Sequence, residues 1–154
     1  MYIELVKYPD VFLRSVSNNV PFPLDDKTSR LIKFMAKAMY QNHGIGLAAI
    51  QVGYQLRMFV MDCSRSREEY KVFINPEIVE KSDETLRDTE GCLSAPGKQG
   101  DVKRHIRIIL KYQDQDGKEQ RKTFYNLEAR CIQHEMDHLE GKLCICLIYT
   151  SPSP

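Results

Sequence analysis

The sequence predicts an α+β fold in which antiparallel β-sheets pack around a central helix near the C-terminus, with a second helix near the N-terminus. Three observations predict it. Apolar residues recur at helical spacing over 25–42, strand-like runs fill 56–125, and helical spacing returns over 126–141.

The elements follow in order. In the first helix Leu31, Phe34, Met35, Ala38 and Met39 form the apolar stripe, Asp25 or Asp26 marks the start, and Gly44 is the expected stop. Strands are expected at 56–63, 71–75, 77–87, 102–112 and 118–125. The first is an apolar run, Leu56 to Met61, ended by Cys63, and reads as buried. Asp114-Gln115-Asp116-Gly117 carries an Asp-Gly pair and joins the last two strands as a hairpin. The second helix starts at Asn126, whose side chain is expected to accept from the free amides of the first turn, and ends near Gly141, which takes a left-handed conformation without penalty. Beyond it Cys144 and Cys146 alternate with Leu143, Ile145 and Leu147 as in a short strand.

At 154 residues the chain is expected to be one domain, 1–154, long enough to bury a core and without internal repeats. A net charge of +1 argues against a nucleic-acid-binding surface and offers no charged tail. No run approaches 18 apolar residues and no signal-peptide core is present, so a cytoplasmic protein without membrane contact is expected. Five cysteines, an odd number, fit a reducing compartment.

The most informative segment is His134-Glu135-Met136-Asp137-His138. A helix places residues four apart on one face, so both imidazoles can grip one metal ion, with Glu135 beside them as a proton carrier. The string also occurs in helices whose histidines are ordinary surface or core residues. Here Leu127, Cys131, His134 and His138 share one stripe, and an inward ionisable cluster is costly unless a metal or partner satisfies it.

Two imidazoles leave a catalytic metal one protein ligand short of the usual three. Cys92 stands out among the cysteines because Glu90-Gly91-Cys92-Leu93-Ser94-Ala95-Pro96-Gly97 reads as a polar loop able to bring backbone amides near a ligand. The alternative is a small buried residue in a turn. Cys131 lies one turn before His134 and is expected to pack.

Gly44-Ile45-Gly46-Leu47-Ala48-Ala49-Ile50-Gln51 has the spacing of a dinucleotide fingerprint, but a helix rather than a strand precedes the glycines. The stretch suits a peptide backbone running alongside Gly46 while Gln51 donates a hydrogen bond. A tight helix-to-strand connection with Ala48 and Ala49 in the core is the plainer reading.

Together, Gly-x-Gly-x-Ala-Ala-x-Gln, Glu-Gly-Cys-Leu-Ser and Gln-His-Glu-x-Asp-His closely resemble the motifs of the peptide deformylase family. Tyr8-Pro9-Asp10, Leu13-Arg14 and Ile74-Asn75-Pro76 extend the likeness, which spans nearly the whole chain up to Leu147. The resemblance implies a monomeric enzyme that removes the formyl group from the formyl-methionine of nascent polypeptides. It implies Cys92, His134 and His138 as metal ligands with water fourth, Glu135 as general base and acid, Gln51 and the Leu93 amide as oxyanion donors, and Gly46 as a backbone contact for substrate. The family typically uses Fe2+, and Zn2+, Ni2+ or Co2+ can occupy the same site.

The chemistry accounts for these residue types. A formamide is a poor electrophile and water a poor nucleophile, so a cation that lowers the pKa of water toward about 7 is needed. Glu135 as proton carrier contributes roughly 100- to 10,000-fold, and each fixed oxyanion donor about 3 kcal/mol. Methionine calls for an apolar pocket, with Ile45, Leu127 and Cys131 as candidate wall residues. Arg130 is expected to pack its stem and send its charge to solvent. Asp137 either pairs with Arg104 behind the ligands or forms an exposed helix salt bridge.

Some features depart from the family. The chain ends at Ser151-Pro152-Ser153-Pro154, where many bacterial members continue into a basic helix implicated in ribosome docking, so a short form with at most transient ribosome contact is expected. Gln99 and Lys103 stand where relatives commonly carry Arg and Pro. Two other classes use part of the same pattern. A zincin-type endopeptidase needs a downstream third ligand, for which only Glu140 is on offer; a noncatalytic metal module needs four protein ligands and no Glu135.

Overall fold

A computed structural model of the protein describes residues 4–143. The expected strand around Cys144 and Cys146 lies outside them. Five strands, β1 (Gly46–Ala48), β2 (Met58–Met61), β3 (Lys71–Lys81), β6 (Arg107–Gln113) and β7 (Glu119–Tyr125), form one antiparallel sheet in the order β1-β2-β3-β6-β7. The strands β4 (Thr85–Cys92) and β5 (Ala95–His105) make a separate antiparallel pair. Helices α1 (Asp26–Gln41) and α2 (Asn126–Leu139) complete the α+β fold.

The two helices pack on opposite faces of the larger sheet. Met58 and Val60 join Leu31, Ile32, Met35 and Met39 of α1, whereas Phe59 and Met61 join Ala129, Cys131 and Ile132 of α2. Because β2 is covered on both sides, its sequence is a continuous apolar run instead of an alternation. Each such side chain contributes about 1.5–3 kcal/mol by leaving water. Around Phe73 the rings of Phe59, Tyr112 and Phe124 lie at 4.9, 4.7 and 5.7 Å, which locks β3 to its neighbours on the α2 side.

Asp25 caps α1 by accepting from the Thr28 amide at 2.7 Å. The buried face is centred toward Ile32, which leaves Phe34 43% exposed and outside the stripe assigned to it. The helix ends at Gln41, three residues before Gly44, and Gly44 is not its left-handed residue. His43 takes the left-handed conformation (φ 59), and Gly44 is needed instead because a Cβ there would collide with the Leu93 side chain.

Three further differences are local. The expected strand 71–75 and the first part of 77–87 are one bent strand, β3, whose register shifts around Asn75-Pro76 and again near Ile78, whereas 85–87 already belong to β4. The stretch 102–112 breaks at Ile106 into β5 and β6. Asn126 does not cap α2: it is itself left-handed (φ 52), and its amide donates to the Ile106 carbonyl at 2.9 Å, so it turns the corner out of β7. Gly141 does close α2 with a positive φ of 73.

The expected strands reach only 85–87 of β4 and 102–105 of β5; the rest of the pair is mostly exposed on both faces and lacks alternation, so the sequence does not show it as strand. Cys92 therefore ends a strand, beside a bulge at Gly91 and the two-residue turn Leu93-Ser94, where a loop was expected.

Candidate metal centre and active site

The turn after β4, the strand β1 and the inner face of α2 enclose a cavity of about 410 Å³. Ile45, Gly46, Gln51, Cys92, Leu93, Leu127, Cys131, His134 and Glu135 all border it. His138 lies behind His134, 1% exposed. The nine sequence-derived candidates and His138 thus converge from three separate segments.

At the floor, the ligand atoms of Cys92, His134 and His138 all lie within 4.8 Å of one another. Cys92 Sγ is 3.3 Å from His138 Nε2, and the two imidazole rings are 5.0 Å apart at 67°. Burial, reinforced by His134 and Arg104, pushes the His138 pKa well down, so the ring stays in the neutral form that a metal requires. A thiolate and two imidazoles form a borderline-soft set suited to a divalent transition metal. Glu135 Oε1, a buried polar atom of a residue bordering the cavity, has no hydrogen-bond partner among the described residues, as expected of a site shaped for a further group.

Glu90 is the functional residue that sequence reasoning missed. Its Oε1 faces His134 Nδ1 at 3.0 Å and Arg104 Nη2 at 2.9 Å, while Oε2 accepts from Arg104 Nε at 2.9 Å and Arg130 Nη1 at 2.5 Å. Burial pushes its carboxyl up, but the bonds from His134 and Arg104 outweigh that and hold it down at about 2. With Nδ1 engaged, Nε2 is the His134 atom aimed at a metal. Arg104 also pairs with Asp137 at 2.6 Å, the first of the two readings offered for Asp137. Arg130 does not send its charge to solvent: besides Glu90 it donates to the Val102 and Leu86 carbonyls at 2.9 and 2.5 Å. The only sequence signal for Glu90 was its place two residues before Cys92; its partners come from β5 and α2.

Gln51 is oriented from two sides. Its Oε1 accepts from the Ala48 amide at 2.9 Å, and its Nε2 donates to Ser94 Oγ at 3.1 Å and lies 3.8 Å from Cys92 Sγ. Ser94, 1% exposed, had not been singled out. Glu135 is buried, and burial first, with Glu90 adding to it, pushes its carboxyl up to about 7. A Cβ on Gly46 would stand 2.7 Å from both Glu135 Oε2 and Cys131 Sγ, so the backbone at Gly46 passes directly over these two side chains. Cys131 is buried, while Ile45 and Leu127 are exposed at the cavity mouth.

The polypeptide deformylase family model matches residues 2–150. The chain belongs to the polypeptide deformylase family. A peptide deformylase from Chromobacterium violaceum is 48% identical over 139 residues, covering 90% of this chain and 82% of that one. One from Pseudothermotoga lettingae is 46% identical over 142 residues, 92% and 80% of the two chains. The solved peptide deformylase of Thermotoga maritima aligns with a TM-score of 0.90 at 36% identity, over 100% of this chain and 99% of its own. Family members are metal-dependent enzymes that remove the N-formyl group from nascent polypeptides, and this chain is a hydrolase of that kind.

Proposed function

We propose that this chain deformylates formyl-methionyl peptides with Cys92, His134 and His138 holding one divalent cation, Fe2+ in the cell and Zn2+, Ni2+ or Co2+ as substitutes. The convergence of one sulfur and two imidazoles within 4.8 Å, at the base of a cavity that Glu135 also borders, carries the reading. The cation supplies Lewis acidity, which makes water nucleophilic near neutral pH.

Glu135, with one oxygen unpartnered, takes the proton from the attacking water and passes it to the departing amine nitrogen. As the formyl carbon becomes tetrahedral, negative charge gathers on its oxygen. Gln51 Nε2 and the Leu93 amide donate to that oxygen, Gln51 being held in its donor orientation by Ala48. Among the described residues strand β1 pairs only with β2, so its other edge is available to the backbone of an extended peptide at Gly46. The methionine side chain enters between Ile45 and Leu127 and reaches Cys131. Formate and a free amino terminus leave.

The whole chain, residues 1–154, is read as one catalytic domain working as a monomer in the cytoplasm, with at most transient ribosome contact. No described helix is long and apolar enough to cross a membrane.

The test is oxygen-free preparation, elemental analysis and formate release from formyl-Met-Ala-Ser. Glu135→Gln should keep its metal and lose turnover by at least about 100-fold. Bound metal without formate release from the unaltered protein would reverse the conclusion in favour of a noncatalytic metal module.

A further inference from the structure

We propose that Arg67, which does not itself border the cavity, is a positioning residue for the substrate: it fixes the entry into β1 and with it the strand edge along which the formyl peptide lies. The inference rests on the reading of Ile45 and Gly46 as the peptide contact. Gly44 and Ile45 lead from the end of α1 into β1, and both border the cavity. The Gly44 amide donates to the Met39 carbonyl at 2.9 Å, and the Ile45 carbonyl accepts from the Asp62 amide at 2.8 Å and from Cys131 Sγ at 3.7 Å. Among the described residues no backbone amide takes the Gly44 carbonyl; Arg67 Nη2 donates to it instead.

The guanidinium is aimed from several sides. Its Nη1 donates to the Asp62 carbonyl at 2.6 Å, and its carbon lies 5.4 Å from the centre of the Tyr40 ring, whose hydroxyl donates to the Asp62 carboxylate at 2.5 Å. The Arg67 amide donates to Ser64 Oγ at 3.2 Å. Arg67 is also left-handed, with φ 59, a conformation that a non-glycine residue keeps only where its surroundings impose it and one that gathers at functional sites. The chain after β2 thus curls back so that one planar fork bridges two carbonyls, Asp62 just past β2 and Gly44 just before β1. A lysine, with a single charged point, does not reproduce that fork.

The consequence falls on the peptide. The backbone at Gly46 lies directly over Glu135 and Cys131, so the lateral position of β1 sets where a docked peptide stands relative to the proton carrier. A misplacement of about 1 Å caused far from the chemistry costs up to about 100-fold. Leu93 lies against Gly44, yet its turn has anchors of its own: the Ser94 carbonyl accepts from the Tyr8 amide at 2.7 Å, and Ser94 Oγ accepts from Gln51 at 3.1 Å. The candidate metal ligands sit on β4 and α2. Loosening Gly44 therefore weakens peptide docking and leaves the oxyanion donors and the cation in place, which is a loss in KM and not in kcat.

The test uses the full chain loaded with Zn2+, as Arg67→Met and Arg67→Lys. KM for formyl-Met-Ala-Ser should rise about tenfold in the first variant and less in the second, with kcat within about twofold and metal content unchanged. Hydrogen exchange should quicken over residues 43–48 and stay as it was over 132–138. An unmoved KM, or a fall in kcat larger than the rise in KM, which is the mark of a partly unfolded population, overturns the proposal. Failure of both variants to fold would make Arg67 a folding residue and overturn it too. In each of these cases formate release by the unaltered protein still upholds the functional reading; its absence overturns both.

Discussion

Glu90 holds His134 by Nδ1 at 3.0 Å, and the same carboxylate binds two arginines. One buried anion thereby sets the tautomer of a candidate metal ligand and ties the β4–β5 pair to α2. Removing it should be felt in metal affinity and in folding together.

Glu90→Gln keeps the shape and loses the charge. Metal affinity should fall about 10- to 100-fold, as for other groups that orient ligating histidines. Glu90→Ala should further destabilise the protein by about 3 kcal/mol, because Arg104, 7% exposed at its side chain, is left without its buried counter-ion. Chelator competition and denaturant unfolding measure the two; an E90Q affinity within twofold of the original would refute the orienting role.

Gly46→Ala places a methyl group 2.7 Å from Cys131 Sγ and Glu135 Oε2, in a site bounded by the backbone of β1. Overpacking of this kind costs about 1–3 kcal/mol. Glu135 is displaced as well, so kcat/KM should drop by roughly tenfold or more, a loss of about 1.4 kcal/mol in transition-state stabilisation. Steady-state kinetics decide; a fully active G46A would mean that neither contact matters.

On the proposed mechanism Gln51→Ala removes a donor whose bond to substrate strengthens as charge develops. Turnover should fall about 100- to 1000-fold with KM little changed. Ser94→Ala, which loses only the hydroxyl that Gln51 Nε2 reaches at 3.1 Å, should fall less, by roughly tenfold or under. Equal losses in the two variants would show that Gln51 acts through Ser94 and not on substrate.

Asp62 gives the fold an acid limb. The carboxylate is buried, which alone would raise its pKa, but it accepts from Ser64 Oγ at 2.5 Å, Tyr40 at 2.5 Å, and the amides of Ser64 and Glu69 at 2.8 and 3.0 Å. These bonds hold it well below the usual carboxylate range. A depressed folded pKa means its stabilisation is present above the unfolded value of about 3.9 and is lost as pH falls further. Tyr40 works at the other end: burial and Asp62 raise its phenol to about 12, so its contribution is complete below the unfolded value of about 10 and fades as pH rises through 12. Asp62→Asn should cost about 2 kcal/mol at pH 7 and flatten the decline below pH 4. Unfolding free energies measured from pH 2 to 7 check this; identical slopes for the two proteins would exclude Asp62 as the source.

The chemistry-bearing residues were legible because they sit in short local patterns. His134, Glu135 and His138 announce themselves through helical spacing, and Cys92, Gln51 and Gly46 through glycine-rich contexts that ordinary core segments lack. Helix α1, β2 and the β6–β7 hairpin were legible for the same reason: burial on one or both faces leaves a periodic or continuous apolar trace. Where burial is slight the trace vanishes, and the segment 88–101 of the β4–β5 pair was not read as strand. Asn126 and Gly44 were misread because a polar or small residue at a boundary has several uses, and only its neighbours choose between a cap, a corner and clearance for Leu93.

By itself, then, the sequence determined the fold class and singled out the residues that meet at the candidate site, since spacing along one element is set by backbone geometry. Tertiary structure alone decided that Glu90, Arg104, Arg130 and Asp137 form one charge network around His134 and that Ser94 steadies Gln51. Those contacts join positions 33 to 44 residues apart, save Glu90 and Arg104 at 14, and no local periodicity encodes which distant side chain will satisfy a buried charge.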